Sequence, residues 1–330
     1  MGIKSRIMLY TFSDILNKIN DEVSTLKFEG KPESLFAPID YILELGGKRV
    51  RPVLAVMAYN LYKDDIEKSI PIALGIEIFH NFTLLHDDLM DRADKRRGKP
   101  TVHIKWDDNT AVLSGDAMLI ESYKEIAKTD KAHLPEVLSL FSTTATEICC
   151  GQQLDMEFEK RLDVSIAEYL EMIRLKTAVL LGCALKCGAI AAGAGQEDAE
   201  ALYNFGINIG LAFQLMDDLL DVYGDPATFG KRIGGDILCN KKTFLQITAL
   251  QHEDSKVKLL DWINKTDFEE TEKIKAVTTI YNELNLKQTS ADIIHSYYEK
   301  GISFLDLVSI DYAKKKELRE LAESLLTRNS

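Results

Sequence analysis

The chain has 330 residues, of which 46% are hydrophobic and 28% charged, so it can bury a large core and global disorder is excluded. Its formal net charge of −12 argues against a nucleic-acid-binding protein. The cysteines number five and lack metal-ligand spacing, which favours a reducing cytoplasm. The N-terminus lacks the apolar run of a signal peptide, and Lys186 interrupts the most apolar stretch, so we predict no transmembrane segment.

Helical periodicity runs through nearly the whole chain. Amphipathic stretches predict helices near residues 11–27, 34–46, 53–62, 70–91, 110–127, 134–160, 165–192, 197–223, 242–250, 256–263, 270–284, 287–305 and 312–327. Gly46-Gly47 is typical of a helix end, and Pro52 of the start of the next helix. No low-complexity linker or shift in composition occurs, so we predict one all-α domain over residues 1–330.

Two aspartate-rich motifs begin inside apolar helical stretches. The first holds Asp87, Asp88 and Asp91, and the second Asp217, Asp218 and Asp221. The first and last aspartates of each motif share a helix face, where like charges cost about 0.2–0.5 kcal/mol per pair. A solvated acidic helix end explains one such motif as well as a functional site does. Two copies with matched apolar flanks favour a site for Mg²⁺, which binds through one or two carboxylates plus water and phosphate oxygens.

Basic residues cluster near these motifs. They form the stretches Gly46-Gly47-Lys48-Arg49-Val50-Arg51-Pro52, Arg96-Arg97-Gly98, Lys176-Thr177, Gly230-Lys231-Arg232 and Asn240-Lys241-Lys242-Thr243. Gly98 and Pro100 indicate a loop, so the adjacent Arg96 and Arg97 can point to different targets. Each stretch alone is compatible with a solvated basic surface. Together they indicate phosphate-binding cations around carboxylate–metal sites.

These motifs, with Gly151-Gln152 and Phe213-Gln214, resemble those of the trans-isoprenyl diphosphate synthase (polyprenyl synthetase) family in the same order over residues 40–245. The resemblance implies an isoprenoid synthase-type helical bundle around a deep central cavity, usually as a homodimer. It implies the condensation of isopentenyl diphosphate with an allylic diphosphate, and the cofactor Mg²⁺, as three ions held between the two aspartate motifs. Departing pyrophosphate is then the implied proton acceptor.

The resemblance also implies individual roles. Asp87 and Asp91 match the ligands of a first metal pair, with Asp88 in support. Asp217 matches the ligand of a third ion, with Asp218 and Asp221 in direct or water-mediated contact. The allylic diphosphate is matched to Arg96, Lys176, Lys241 and Lys231, and isopentenyl diphosphate to Lys48, Arg51, His80 and Arg97. Thr177 and Gln214 match polar residues near the developing cation.

The chain departs mildly from the family pattern. Ala178 and Asn240 stand where glycine is common, and the C-terminus offers a single arginine, Arg328, instead of a basic tail. Closure of the C-terminus over the site is therefore not expected from the sequence.

Product length has a geometric interpretation. A helix rises about 5.4 Å per turn, close to the length of one isoprene unit. Phe82 and Thr83 precede Asp87 by little more than one turn, where they would meet the tail of a short product. A bulky Phe82 beside a small Thr83 resembles family members that make C15–C20 chains, with Phe79 as a second floor. Phe82 as ordinary core is the other interpretation.

Other functions fit less well. Head-to-head condensation or terpene cyclisation also uses aspartate-rich helices, but does not need the isopentenyl set Lys48, Arg51 and Arg97. A regulatory subunit of a heteromeric synthase typically loses an aspartate motif or the paired arginines, and this chain keeps both. A metal-binding structural protein would not need the phosphate-binding cations. A longer-chain polyprenyl diphosphate synthase stays open.

Overall fold

The computed structural model describes residues 8–225 and 233–326, and helices dominate both ranges. The chain begins with α1 (Phe12–Thr25), α2 (Glu33–Glu44), α3 (Val50–Asn60), a 3₁₀ turn (Ile66–Ser69), α4 (Ile70–Met90), α5 (Val102–Lys105) and α6 (Asp108–Ile126). It continues with α7 (Leu134–Phe158), α8 (Ile166–Ile173), a π-helical segment (Arg174–Ala178), α9 (Val179–Ala191) and α10 (Gln196–Tyr223). The second described range contains α11 (Gly235–Leu238), α12 (Phe244–Leu250), α13 (Glu253–Asn264), α14 (Glu270–Glu283), α15 (Leu286–Leu307) and α16 (Tyr312–Leu326). The all-α prediction is confirmed.

A small hairpin follows α4 where the sequence predicted a loop. Strands β1 (Lys95–Arg96) and β2 (Lys99–Pro100) pair antiparallel, with Arg96 opposite Lys99. Between them Arg97 and Gly98 have φ of 51° and 76°. Positive φ at both central residues is characteristic of a type I′ turn, whose twist matches that of a two-stranded hairpin.

The stretch predicted as one helix over residues 165–192 is interrupted by the π-helical segment Arg174–Ala178. α8 starts with a capping box, because Ser165 Oγ accepts from the Glu168 N–H while the Glu168 carboxylate accepts from the Ser165 N–H. Single π turns inside α-helices are often found at functional sites. This segment carries Lys176 and Thr177.

The chain forms two compact units. The first comprises the described part of Met1–Ser142 with Cys183–Tyr203 and Val308–Leu318. Its α4 packs against α3 and α6 and has most of its side chains buried, which is typical of a helix in the interior of a core. The prediction of a single domain stays a prediction.

The second unit comprises Thr143–Gly182, Asn204–Leu307 and the described part of Arg319–Ser330. A core cluster joins the end of α10 to α11–α15, with the members Val222, Ile237, Leu245, Ala249, Leu259, Val277, Ile280, Tyr281 and Leu286. Across residues 8–225 and 233–326, none of the helices combines the length and the hydrophobicity needed to span a bilayer.

Candidate active site

The first aspartate motif lies at the C-terminal end of α4. Asp87 and Asp88 are in its last turn, and Asp91 is the C-cap residue, whose N–H donates to the Asp87 carbonyl at 2.8 Å. The negative end of the helix macrodipole disfavours carboxylates there by about 0.3–1 kcal/mol each. This last turn contains no basic residue. With Asp87 partly exposed and Asp91 exposed, the end of α4 therefore favours a bound cation.

Asp88 faces the protein interior. Arg96 donates to it twice, from Nε to Oδ2 and from Nη2 to Oδ1, both at 2.7 Å. Burial raises the pKa of Asp88, and this effect outweighs the lowering by Arg96. The bidentate pair fixes the hairpin to the motif. Among the described residues, the Nη1 of Arg96 makes no hydrogen bond, so it is available to a ligand oxygen.

The neighbouring Arg97 has a different target. Its guanidinium lies against Gly47, which has φ of 145°. A Cβ at Gly47 would lie only 2.8 Å from Arg97 Nη2, so glycine is required for this approach. Partial burial and the charges of Arg49 and Arg96 lower the pKa of Arg97. The type I′ turn thus directs the two arginines to separate partners.

A side-chain contact near Arg97 connects α3 to α4. Arg51 Nη1 lies 3.3 Å from His80 Nε2, and the pKa of His80 is lowered well below its usual value by burial and by four arginines, Arg51 foremost. His80 is therefore neutral. Because an arginine side chain can only donate, Nε2 of His80 accepts the hydrogen bond from Arg51. Lys48, just before α3, is exposed.

Glu77 was missed by the sequence analysis. Its carboxylate, 3% exposed in α4, accepts hydrogen bonds from Arg49 Nη1 and from Asn81 Nδ2, the latter at 2.7 Å. Arg49 Nη2 donates to the Leu43 carbonyl at 2.8 Å, which fixes the end of α2. The available signal was a single carboxylate in the middle of an apolar helix. Its negative charge offsets the arginines gathered around His80.

The second aspartate motif lies in the last two turns of α10, again without a basic residue in the last turn. Asp218, 5% exposed, accepts from Tyr169 Oη at 2.5 Å and from Gln214 Nε2 at 2.9 Å. Burial, and then the charge of Asp236, raise the pKa of Asp218 to about 7. Tyr169, two helical turns before Lys176, was not predicted as a site residue.

The outer aspartates of this motif are partly exposed. Asp221 Oδ2 accepts from the Asp236 N–H at 3.0 Å, so the start of α11 is fixed to the motif. Asp217 is also partly exposed. As in the first motif, the middle aspartate is buried and the outer two face outward.

The π-helical segment presents Lys176 and Thr177 with defined partners. Lys176 Nζ donates to Asp155 Oδ2 at 2.6 Å, and Thr177 Oγ1 donates to Gln214 Oε1 at 3.2 Å. Gly151 of α7 permits this packing, because a Cβ there would lie 2.3 Å from the Lys176 backbone nitrogen. Asp155, four residues after Gly151, was missed although that spacing places both residues on one helix face.

The predicted Lys241 follows Asn240, whose φ is 53°. Its positive charge acts on Asp218, whose pKa it lowers against the stronger effect of burial. Thr243 caps α12 by accepting from the Gln246 N–H at 3.4 Å. The predicted Lys231, in residues 226–232, lies outside the described residues. Arg328, near the C-terminus, lies outside them too.

The predicted product floor is part of an aromatic cluster. Phe82, 8% exposed, meets Phe79 edge to face at 5.4 Å between ring centroids, and His86 at 4.8 Å. Phe79 meets Phe141 of α7 at 5.2 Å, which in turn meets Tyr123 of α6 at 5.1 Å. Thr83 Oγ1 donates to the His80 carbonyl at 2.8 Å. The contributions of Phe141 and Tyr123 could not be predicted from α4 alone.

The donor set fits magnesium. In residues 8–225 and 233–326 there is no preformed group of three or more His, Cys, Asp or Glu that could hold a metal ion. Mg²⁺ does not require one, since it is commonly bound by one or two carboxylates together with phosphate oxygens and water. Outward-facing aspartates at two helix C-termini supply hard oxygen ligands of this kind.

Comparison with known proteins identifies the family. Residues 32–281 match the Polyprenyl synthetase family. A short chain isoprenyl diphosphate synthase of Methanocaldococcus jannaschii is 41% identical over 276 residues, 82% of this chain and 83% of that protein. A crystal structure of geranylgeranyl pyrophosphate synthase superposes with a TM-score of 0.93 at 44% identity, covering 98% of this chain and 100% of that one.

A polyprenyl synthase structure from Caulobacter crescentus CB15, in complex with calcium and isoprenyl diphosphate, has a TM-score of 0.84 at 27% identity and covers 97% of this chain and 95% of that one. The chain belongs to the polyprenyl synthetase family, as its motifs predicted. It has the isoprenoid synthase fold and is a trans-prenyltransferase that forms short-chain prenyl diphosphates.

Proposed function

We propose that this enzyme makes C15–C20 all-trans prenyl diphosphates from isopentenyl diphosphate and an allylic diphosphate, with magnesium as cofactor. The observation that carries the proposal is the pair of aspartate motifs, each at the C-terminus of a helix without a basic residue in its last turn. The Caulobacter relative was crystallised in complex with calcium and isoprenyl diphosphate, which agrees with an enzyme that binds a divalent ion and a diphosphate.

The proposed magnesium ligands are the outward-facing aspartates. Asp87 and Asp91 would hold ions at the first motif, and Asp217 with Asp221 would hold one at the second, for three ions in all. Asp88 and Asp218 have an indirect, supporting role in this proposal, because both are buried and hydrogen-bonded to protein groups. Magnesium, when bound here, supplies Lewis-acid stabilisation of the departing pyrophosphate.

The proposed isopentenyl diphosphate site consists of Lys48, Arg51, Arg97 and His80. Arg97 over Gly47 and Arg51 beside His80 are two guanidiniums of one cluster, and bidentate guanidiniums suit phosphate oxygens. His80 contributes indirectly, because its neutral Nε2 accepts from Arg51 and so orients that guanidinium. Glu77 and Arg49 hold the surrounding backbone in place.

The family resemblance assigns Arg96, Lys176, Lys241 and Lys231 to the proposed allylic diphosphate site. Arg96 offers its Nη1 while Asp88 holds the other two nitrogens. Lys176 is held by Asp155, and a diphosphate would share its ammonium with that carboxylate.

The proposed mechanism follows from the roles that the family resemblance gives these residues. Arg96, Lys176 and Lys241 stabilise negative charge as the bond from the allylic carbon to the diphosphate breaks. Thr177 Oγ1 and Gln214 Oε1 place oxygen dipoles beside the developing allylic cation, and Asp218 orients the Gln214 amide by accepting from its Nε2. The isopentenyl double bond attacks the cation, and the pyrophosphate oxygens accept the proton that is then lost.

The aromatic cluster supports a C15–C20 limit. Phe82 and Phe79 stand on α4 below Asp87, and Phe141 and Tyr123 support them. We propose that these rings stop a growing apolar chain that reaches them. The names of the relatives, a short chain synthase and a geranylgeranyl pyrophosphate synthase, agree with this length rather than with a longer-chain product.

We further propose a homodimer in the cytoplasm. α6 exposes Val112, Leu113 and Ile120, the last two at 58% each, and large exposed apolar side chains on one helix suit an interface with a second copy. None of the five cysteines, all within the described residues, forms a disulfide, which suits a reducing compartment. Light scattering of the purified enzyme would show a dimer mass, and a monomer at working concentration would contradict the homodimer.

The metal assignment is tested by replacing one outward-facing aspartate at a time. Asp87→Ala and Asp217→Ala should each abolish turnover while leaving the helical fold intact by circular dichroism, because like charges four residues apart on one helix face cost stability. Asp94→Ala, an aspartate beyond the motif, is the matched control. Condensation near the wild-type rate in either motif variant would contradict the assignment.

A further inference from the structure

Asn240, the residue before Lys241, forms hydrogen bonds through both its side chain and its backbone carbonyl. Its φ of 53° lies in the left-handed region, which asparagine tolerates better than most residues. Its Nδ2 donates to the Ile263 carbonyl at 3.4 Å, and its own carbonyl accepts from Gln246 Nε2 at 3.3 Å. These bonds connect the turn before α12 to the end of α13.

Lys273 is the most buried lysine of the described chain, with 1% exposure, and it lies in α14, outside every motif of the sequence. Its Nζ donates to Asn240 Oδ1 at 2.8 Å and to the Leu238 carbonyl at 3.4 Å, and it lies 4.5 Å from the centre of the Phe268 ring. No carboxylate pairs with it within the described residues. The bond to Leu238 also satisfies the C-terminal end of α11.

A second buried lysine meets the same asparagine. Lys242, 5% exposed, donates from Nζ to the Asn240 carbonyl at 3.0 Å. Two desolvated ammonium groups therefore bind the two oxygens of one residue. Burying an ammonium is costly, and apolar side chains of similar volume would be expected to stabilise the fold at least as well. The arrangement therefore indicates a role in holding Asn240 in place.

We propose that Lys273, assisted by Lys242, is a positioning residue for Lys241. By binding the side chain of Asn240 it fixes the left-handed backbone conformation, and this conformation sets the direction in which the next side chain leaves the turn. A glycine at position 240 would allow the same φ but could not be held by a side-chain bond. The inference rests on the proposed function, in which Lys241 binds the allylic diphosphate.

The test is a comparison of steady-state kinetics in Lys273→Met, which keeps the length of the side chain and removes its donor. The KM for the allylic diphosphate should rise about tenfold, equivalent to 1.4 kcal/mol of binding free energy, while the KM for isopentenyl diphosphate stays within about twofold. Lys258→Met, which removes an exposed lysine of α13 paired with Glu283, is the matched control and should change neither KM.

Asn240→Gly tests the connection directly, and it also carries the test if Lys273→Met does not fold. It should raise the allylic KM similarly, and combining it with Lys273→Met should add little, because both changes break one interaction. Asn240→Asp keeps an acceptor for Lys273 and should restore most of the affinity. Equal changes in both KM values, or a lower melting temperature with unchanged kinetics, would overturn the proposal.

Lys241→Ala separates this inference from the proposed function. If Lys241→Ala leaves the allylic KM unchanged, the role of Lys241 itself is wrong. If it raises that KM while Lys273→Met and Asn240→Gly do not, only the positioning role is wrong.

Discussion

Replacing Phe82 by alanine should lengthen the product by at least one C5 unit. Phe82 is 8% exposed, and its ring packs against Phe79 and His86. Removing a buried phenyl ring leaves a cavity that costs about 3–5 kcal/mol if it stays empty. An isoprene unit adds about five carbons, each worth about 0.8 kcal/mol when buried. One additional unit therefore offsets most of that cost, and the enzyme gains affinity for the longer chain.

The assay is chromatography of the dephosphorylated products after reaction with labelled isopentenyl diphosphate and an allylic primer. Thr83→Phe should act in the opposite direction, because it raises the floor by a ring on the same turn. Leu259→Ala is a control for loss of stability alone, since Leu259 is 1% exposed in the core cluster of the second unit. An unchanged product distribution in an active Phe82→Ala enzyme would refute the proposed floor and make Phe79 and Phe141 the next candidates.

Two further predictions concern single charges. Arg97→Ala should raise mainly the KM for isopentenyl diphosphate, and Lys241→Ala mainly the KM for the allylic diphosphate. Each rise should be about tenfold or more, since a charge-assisted hydrogen bond contributes about 1.5–3 kcal/mol. Equal effects of either variant on both substrates would contradict this division. The pKa of Asp218, raised to about 7 from 3.8, means that between these pH values the folded state binds a proton that the unfolded state has lost. Stability without metal should therefore fall as pH rises from about 4 to 7, and Asp218→Asn should flatten this slope in melting curves; parallel curves for the two proteins would exclude Asp218 as the cause.

The helices that carry the aspartate motifs were predictable from the sequence. Periodicity predicted 70–91 and 197–223, and the structure has Ile70–Met90 and Gln196–Tyr223. Local signals suffice there because both helices are long and uninterrupted by proline after their first turn. The hairpin at Lys95–Pro100 and the π turn at Arg174–Ala178 were not predicted. The π turn packs closely against Gly151, which lies on another helix.

The candidate site was predictable where its residues form local motifs, and not where a single residue from a distant helix completes it. Glu77, Asp155 and Tyr169 each bind a residue of a motif, yet each lies outside the motif it supports. Lys273 lies 33 residues from Asn240. Such partners depend on tertiary packing, and one sequence contains no signal that pairs them.

Product analysis with labelled isopentenyl diphosphate and each allylic primer in turn tests the central claim most directly. With magnesium and dimethylallyl, geranyl or farnesyl diphosphate, the enzyme should release pyrophosphate and form prenyl diphosphates that end at C15–C20. Isopentenyl diphosphate without a primer should give no product, and Asp87→Ala should give none with any primer. Chains that extend well beyond C20, or condensation that persists in Asp87→Ala, would contradict the account.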